Sequence, residues 1–459
     1  MPRTEPIRAE LIRRLETPEP LSPAACMVLL WTYFADGEVG LGAVENRVSA
    51  LWGHPLRLPH LPLISGFSAK WLSDARDALR KTKDPAELDI LALRWLKGLD
   101  LLLSQGEFQD FAGAPLVGVD EKPYTVQSRN GFLASHYEET ALEVRWAAHQ
   151  GLSLAAYCRH FVVVPGYSVG GFQIQSRSAI PRSHSFWGTA HLHDRLRAER
   201  EKLRILLWPF QTALDYPGIE AFTASPPPDE ILLDTVRNES ELQAEIRQAL
   251  AAARSAKVTL LIFPELSVPL RTEEMIRQEL SRSGVDGHPI LTLFGCCHRQ
   301  PSDGGRPVNE AVLLGPSGAE LHRHRKLVRF TDYRFGEHHP VPEKVETGTV
   351  VTVLESAFGN LVPLICIDFI NEAVEEVLFR CHGNLYPVPS LSPETNAHQV
   401  KAVRLQVHNL AATFVCNRWI GPLSKGSPSF FRLPRQKGLT LHEPGSAEAS
   451  HLLFDLGEP

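Results

Sequence analysis

No stretch of this 459-residue chain approaches the roughly 18–20 uninterrupted apolar residues that a membrane-spanning helix needs. The longest runs, Val258 to Phe263 and Leu361 to Ile367, are strand-sized, so no membrane partner is expected. The first 15 residues mix both charge signs and lack an apolar segment, which is not the pattern of a secretory signal. Cys-x-x-Cys spacing is absent too. The seven cysteines, at 26, 158, 296, 297, 366, 381 and 416, are an odd number at scattered positions. Without an export signal they read as reduced thiols, and the expected location is cytoplasmic. Nor is there an excess of positive charge: the net charge is −6, which gives no bulk electrostatic reason to expect nucleic acid. No internal repeat is evident.

What is present is ordinary globular composition, 43% apolar and 22% charged. The length fits two domains, or one large domain with an extension. Two composition breaks organise the chain. Residues 194–204 (DRLRAEREKLR) are expected to form a charged surface helix, and residues 225–230 (SPPPDE) a rigid loop. Residues 1–200 read as a separate N-terminal region of unknown role, helical first and mixed afterwards. Pro23 to Phe34 and Glu87 to Leu103 have helical apolar spacing, while 161–167 and 170–176 are short strand-like runs.

From about 203 to 459 the pattern becomes strands alternating with amphipathic helices, as in a layered α/β domain. Expected strands are 204–210, 257–265, 288–298, 309–315, 359–369, 384–390 and 413–417. Ser240 and Gln243 have capping-box spacing ahead of a helix with Leu242, Ile246, Ala249, Leu250 and Ala253 on one face. Asn371 can cap a short helix carrying Val374, Val377 and Leu378. A later helix places Val400, Val403, Val407, Leu410 and Ala411 on one side.

Three positions couple a reactive group to a buried apolar run: Glu265 in KVTLLIFPE, Lys326 in HRHRKLVRF and Cys366 in LVPLICIDF. In layered α/β folds, strand ends bring such distant positions to one crevice. Their chemistry is coherent. A thiol attacks a carbonyl or nitrile carbon as thiolate once a base takes its proton. A glutamate in an apolar setting has the raised pKa that suits that base. An ammonium, or a backbone N–H at the turn after the cysteine, stabilises the oxyanion. A cysteine with no catalytic histidine nearby is a poor papain-type nucleophile, but the glutamate and lysine supply the same functions. Each residue alone has a plainer reading: a buried structural thiol, a cap for a helix around 272–280, or part of a solvated basic face. Cys296, Cys297 and His298 with His338 and His339 raise the question of a metal. Adjacent cysteines on a strand point to opposite faces, so neither metal nor cofactor is expected.

Taken together, the segments IFPELSVP (262–269), HRHRKL (322–327) and LICIDF (364–369) resemble, in order, the three signatures of the carbon–nitrogen hydrolase (nitrilase) superfamily. The connecting segments 308–326 and 402–418 and the closing segment 449–456 resemble that family as well. The resemblance implies a four-layer αββα sandwich over residues 203–459, often paired through its helical layer, so a homo-oligomer, dimer or higher, is expected. It also implies roles: Glu265 as general base, Lys326 as oxyanion stabiliser and Cys366 as nucleophile. Glu337 is taken as a second glutamate orienting lysine and substrate, with Asp332 and Glu343 as competitors. His324 stands where an aromatic is usual, and Ile367 departs from the pattern while Asp368 keeps the acidic position. The implied activity is hydrolysis of a non-peptide C–N bond in a small molecule, first an amide, otherwise a nitrile or carbamoyl amine. The alternative is a nitrilase-like binding or assembly module in a multi-part, defence-type system, with the N-terminal region as its partner-binding part.

Overall fold

The computed structural model describes residues 203–217, 229–301, 304–333, 340–356, 359–409, 411–418 and 429–433. It also describes 85–104, 132–135, 161–164, 169–178, 440–441, 452–455 and the single positions 27, 30, 31, 34, 81 and 195. The expected helix at 194–204, most of the 225–230 loop and Glu337 therefore lie largely or wholly outside the described residues. The chain divides into two compact units, one of residues 1–168 with 380–382, the other of 169–379 with 383–459.

In the first unit, helix α1 (Pro85–Ser104) follows the apolar spacing of its sequence. It buries Ile90, Leu93, Leu96 and Leu99. Met27, Leu30, Trp31 and Phe34 are helical and buried as well. Strands β1 (Phe132–Ser135) and β2 (Phe161–Val164) form an antiparallel ribbon.

The second unit is built on two sheets. One has the order β17-β4-β5-β6-β7-β8, made of β4 (Arg204–Leu207), β5 (Leu260–Ile262), β6 (Leu291–Gly295), β7 (Glu310–Leu314), β8 (Glu320–Arg325) and β17 (Leu452–Asp455). Its strands β4, β5 and β6 are parallel, and the remaining pairs are antiparallel. The other has the order β16-β15-β14-β13-β12-β11-β3. It comprises β3 (Gln173–Ser178), β11 (Val350–Ser356), β12 (Gly359–Leu361), β13 (Leu385–Ser390), β14 (Ala412–Asn417), β15 (Phe430–Arg432) and β16 (Thr440–Leu441). Here β12, β13 and β14 form the parallel centre, and β3 runs parallel to β11 at the edge. Residues 173–178, whose short strand-like run lies before the charged break, thus complete this sheet.

The sheets stack face to face, with β6 over β13, β8 over β11 and β4 over β14. Every residue of β5, β6, β7, β13 and β14 is buried. That is why these strands read as continuous apolar runs rather than alternating ones. Helices α2 (Glu239–Ser255) and α3 (Leu270–Ser283) pack on the outer face of the first sheet, Leu242, Ile246, Leu250, Ile276 and Leu280 meeting Leu206, Leu261, Phe263 and Phe294. Helix α6 (Asn396–Asn409) covers β14 and β15. Helix α5 (Glu372–Arg380) lies beside it, buries Val374, Val377 and Leu378, and begins with Asn371 accepting the Ala373 N–H at 2.9 Å. The result is an α/β sandwich with the layer order helix, sheet, sheet, helix.

Three local expectations change. The Ser240–Gln243 capping box does not form, because α2 starts at Glu239 with Asn238 as N-cap. The Asn238 side chain is used elsewhere, donating to the Ala213 carbonyl at 2.7 Å and accepting the Asp215 N–H at 3.1 Å. The run 359–369 is a strand only over Gly359–Leu361; Ile367–Ile370 forms a short helix, α4. Helix α6 is rotated from the expected phase: Val400 is 61% and Val403 37% exposed, while Ala402, Leu405, Gln406 and Asn409 are buried. Polar anchors set that phase. Asn409 Nδ2 donates to the Leu378 carbonyl at 2.8 Å, and Gln406 Nε2 to the Leu433 carbonyl at 2.6 Å. Leaving such groups unpaired inside would carry a full desolvation penalty, which offsets what burying the two valines would contribute.

Candidate active site

Glu265 lies three residues beyond β5, on a turn held in an uncommon conformation. Leu266 has φ +54°, and its carbonyl accepts from Tyr216 Oη at 2.6 Å and from Cys297 Sγ at 3.1 Å. Ser267 Oγ donates to the Pro264 carbonyl at 2.7 Å. The last residue of β6, Gly295, presses against this turn: a Cβ there would lie 2.4 Å from Glu265 Cα. Only glycine lets the two strand ends approach so closely.

Lys326 follows β8 directly. Its backbone N–H donates to the Asn309 carbonyl at 2.9 Å, which ties it to the start of β7. Its Nζ donates to Glu265 Oε1 and to Glu343 Oε2, both at 2.8 Å. Glu343 arrives through a two-stranded ribbon of β9 (Thr331–Asp332) and β10 (Val341–Pro342), which folds the chain back so that Glu343 Oε2 also accepts the Phe330 N–H at 3.2 Å. Thus, among the described residues, Glu343, named above as a competitor of Glu337, is the second carboxylate that meets the lysine. Asp332, the other competitor, is buried within the ribbon.

Asn309 bridges the two acids, its Nδ2 donating to Glu265 Oε1 at 2.9 Å and to Glu343 Oε1 at 2.7 Å. His298 completes the cluster. The Leu233 N–H donates to its Nδ1 at 2.8 Å, which leaves Nε2 as the N–H donor to Glu343 Oε1 at 2.7 Å. His298 therefore serves a carboxylate; Cys296 and Cys297 contact separate partners, Glu273 and Leu266. Among the described residues no group of three or more His, Cys, Asp or Glu side chains has metal-binding geometry.

The charges are all buried and mutually dependent. Burial is the largest influence on Glu265 and raises its pKa; Glu343 adds to that rise, and Lys326 opposes it. Burial pushes Glu343 the same way, but Lys326 and His298 outweigh it and hold Glu343 below the ordinary carboxylate range. Burial alone would lower Lys326, yet the two carboxylates keep it above its ordinary value. The two carboxylates are thus shifted in opposite directions, Glu265 up and Glu343 down, around one ammonium.

Cys366 sits at the sharp turn between β12 and α4 with φ +40° and ψ −101°, a conformation a non-glycine residue rarely adopts. Asp368 holds the turn in place. Its Oδ1 accepts the N–H groups of Leu327 at 2.8 Å and Val328 at 2.9 Å, and its Oδ2 lies 3.1 Å from His324 Nε2. One buried carboxylate thereby pins the cysteine turn to the segment just after Lys326. His324 fills the departed aromatic position as that carboxylate's partner. The Leu391 N–H donates to Glu265 Oε2 at 3.1 Å and also to the Cys366 sulfur. Burial pushes the Cys366 thiol up to about 12, with Glu265 adding to the rise and Lys326, Ser390 and the Leu391 N–H opposing it. The structure thus brings together Glu265, Lys326 and Cys366, and adds Glu343, Asn309, Asp368 and His298.

With that geometry in view, comparison with known proteins is specific. The carbon–nitrogen hydrolase family model matches residues 226–374, a span that contains Glu265, Lys326, Glu343 and Cys366. This chain carries a carbon–nitrogen hydrolase segment. Solved structures similar to the chain include an amidase from Nesterenkonia sp., at 18% identity and TM-score 0.40, over 55% of this chain and 89% of that one. Another is a mutant of the amidase from Nesterenkonia sp. AN1 carrying the acetamide moiety of fluoroacetamide on its active-site cysteine, also at 18% identity and TM-score 0.40, covering 55% and 89%. No curated protein matches. The hydrolase segment runs from the loop before α2 into α5, so it includes Glu265, His298, Asn309, Lys326 and Glu343, while Leu391, which donates to Glu265, lies beyond it. Asn309, Asp368 and His298 had weaker sequence signals: Asn309 leads a strand, Asp368 follows the cysteine by two residues, and His298 stands beside two thiols.

Proposed function

We propose that the chain hydrolyses a non-peptide C–N bond, most simply that of a small-molecule amide, through an acyl-enzyme on Cys366. The observation that carries this reading is the Lys326 ammonium held between two buried carboxylates, with the Leu391 N–H joining Glu265 to the sulfur. Glu265 takes the thiol proton as the sulfur attacks the carbonyl carbon, so that no free thiolate is needed at rest. Lys326 Nζ and the Ile367 N–H stabilise the oxyanion, and Glu265 returns the proton to the leaving amine. Water then attacks the thioester, giving its proton to Glu265, and the carboxylic acid leaves as the thiol reforms. Glu343, held by His298 and Asn309, orients Lys326 without taking the proton, because it stays ionised.

The test is ammonia release across a panel of small amides, carbamoyl amines and nitriles, with the Cys366→Ala protein as blank. Turnover of at least one amide above that blank is expected, with nitriles slower. If all classes stay at blank level while the purified protein is folded, hydrolysis is the wrong reading and the assembly-module reading takes its place.

The exposed Val400 and Val403 lie on the outward face of α6. We propose that this face pairs with a second copy through the helical layer. Wild-type protein is expected to sediment as a dimer or larger, and a Val400→Glu, Val403→Glu double variant as a smaller species. A wild-type monomer at micromolar concentration would refute the pairing. The five described cysteines, Cys366 among them, are all free. Among the described residues no helix is long and apolar enough to cross a membrane.

A further inference from the structure

The sulfur also meets a second set of polar groups. Ser390 ends β13, the strand beside the cysteine turn, and is fully buried. Its Oγ donates to Cys366 Sγ at 3.3 Å. The same Oγ lies 3.5 Å from Nε2 of His398, a buried histidine in the first turns of α6. His398 is stacked on Phe369 of α4, with centroids 6.2 Å apart and planes 18° apart. The Cys366 backbone favours the charged form of His398 against burial, as a carbonyl oxygen near the ring does. Nδ1 of His398 has no hydrogen-bond partner among the described residues. Nε2 therefore carries the hydrogen, and it points at the strained turn.

These contacts have a direction. The His398 N–H faces Ser390 Oγ and the Cys366 carbonyl, so the serine oxygen receives on one side and its own hydrogen is left for the sulfur. We propose that Ser390 and His398 are a positioning pair that aims one hydroxyl hydrogen at the Cys366 sulfur, stabilising the thiolate as it forms and holding the strained turn in register. The inference rests on Cys366 being the nucleophile proposed above. The pair moves no proton: the serine keeps its hydrogen throughout, and the thiol proton goes to Glu265. Burial lowers His398 to about 4, so it acts as a neutral donor across the neutral range rather than as a base. The charged and titratable groups that act on the sulfur are Glu265 and Lys326 directly and His398 through Ser390.

The experiment is iodoacetamide labelling of the full-length protein from pH 6 to 10, with Cys366 modification followed by peptide mass spectrometry. It is run on the wild type and on Ser390→Ala, His398→Phe and His398→Gln, with melting temperatures as a check on folding. Wild-type Cys366 is expected to label ahead of the other cysteines. Ser390→Ala is expected to label about tenfold more slowly at each pH below the thiol pKa, the size expected for one hydrogen bond to a charged group. His398→Phe, which keeps the ring stack, is expected to show part of that loss, and His398→Gln, which keeps an N–H at similar reach, to recover it. Amide turnover, where measurable, is expected to fall in kcat with KM little changed. Unselective labelling in the wild type would sink the nucleophile assignment itself. A selective wild type with superimposable pH profiles in folded Ser390→Ala and His398→Phe would overturn only the positioning pair.

Discussion

Cys366→Ala is expected to lose at least about 10⁴-fold in amide turnover, as enzymes do when a covalent nucleophile is removed, while its melting temperature stays close to wild type. The two outcomes separate because of what the sulfur does and does not hold. Its polar contacts are a hydroxyl donor from Ser390 and the shared Leu391 N–H, so its removal strips no charge of its partner. The Glu265–Lys326–Glu343 cluster remains intact, as does the Asp368 anchor of the turn. Intact-mass measurement after mixing with a slow amide gives an independent reading: an acyl adduct on the wild type and none on the variant. Turnover in Cys366→Ala within tenfold of wild type would end the covalent account.

Lys326→Met is expected to damage both activity and stability. The lysine is fully buried against two carboxylates, and removing one partner of a buried ion pair costs about 3–5 kcal/mol because the opposite charge is left uncompensated. For a unit of this size that is a fall in melting temperature on the order of 10 °C. The pH dependence has a definite sign. In the wild type, Glu343 is held below its unfolded value, so its stabilisation is present above the ordinary carboxylate range and is lost only as pH falls through its depressed folded value. Without the ammonium, burial raises both Glu265 and Glu343 above their unfolded values. Their contribution is then largest at low pH and fades as pH rises. The gap in melting temperature between variant and wild type is therefore expected to narrow from pH 8 to pH 5. A constant gap would mean that the lysine is not what keeps the two carboxylates ionised.

The spacing of apolar residues was enough to locate most of the strands and helices of the second unit, because strands enclosed on both faces must be apolar throughout. It misled at α6, where Val400, Val403 and Val407 make the more conspicuous stripe but Gln406 and Asn409 set the rotation through hydrogen bonds to Leu433 and Leu378. It also extended the strand at 359–369 past its end: Val362, Leu364 and Cys366 still donate to the Leu385, Pro387 and Pro389 carbonyls of β13, but the two prolines have no N–H to return, and the chain turns at Cys366. Glu265 and Cys366 were legible because each follows such a run, and Lys326 because the HRHRKL segment resembles a family signature. The partner of the lysine was not: Glu343 lies 17 residues beyond it, and only the return of the β9–β10 ribbon separates it from the nearer acids.

By itself, then, the order of residues determined the layered α/β class, the segment that matches the hydrolase family and the three candidate residues Glu265, Lys326 and Cys366, all of which follow from local apolar patterning and short motifs. Tertiary structure alone decided which carboxylate pairs with Lys326, that Asp368 ties the cysteine turn to the lysine segment, and that a histidine 32 positions after Cys366 reaches its carbonyl. Those contacts join residues on different elements, and hydrogen bonds and buried charges act over a few ångströms of space. Distance along the chain carries no record of them.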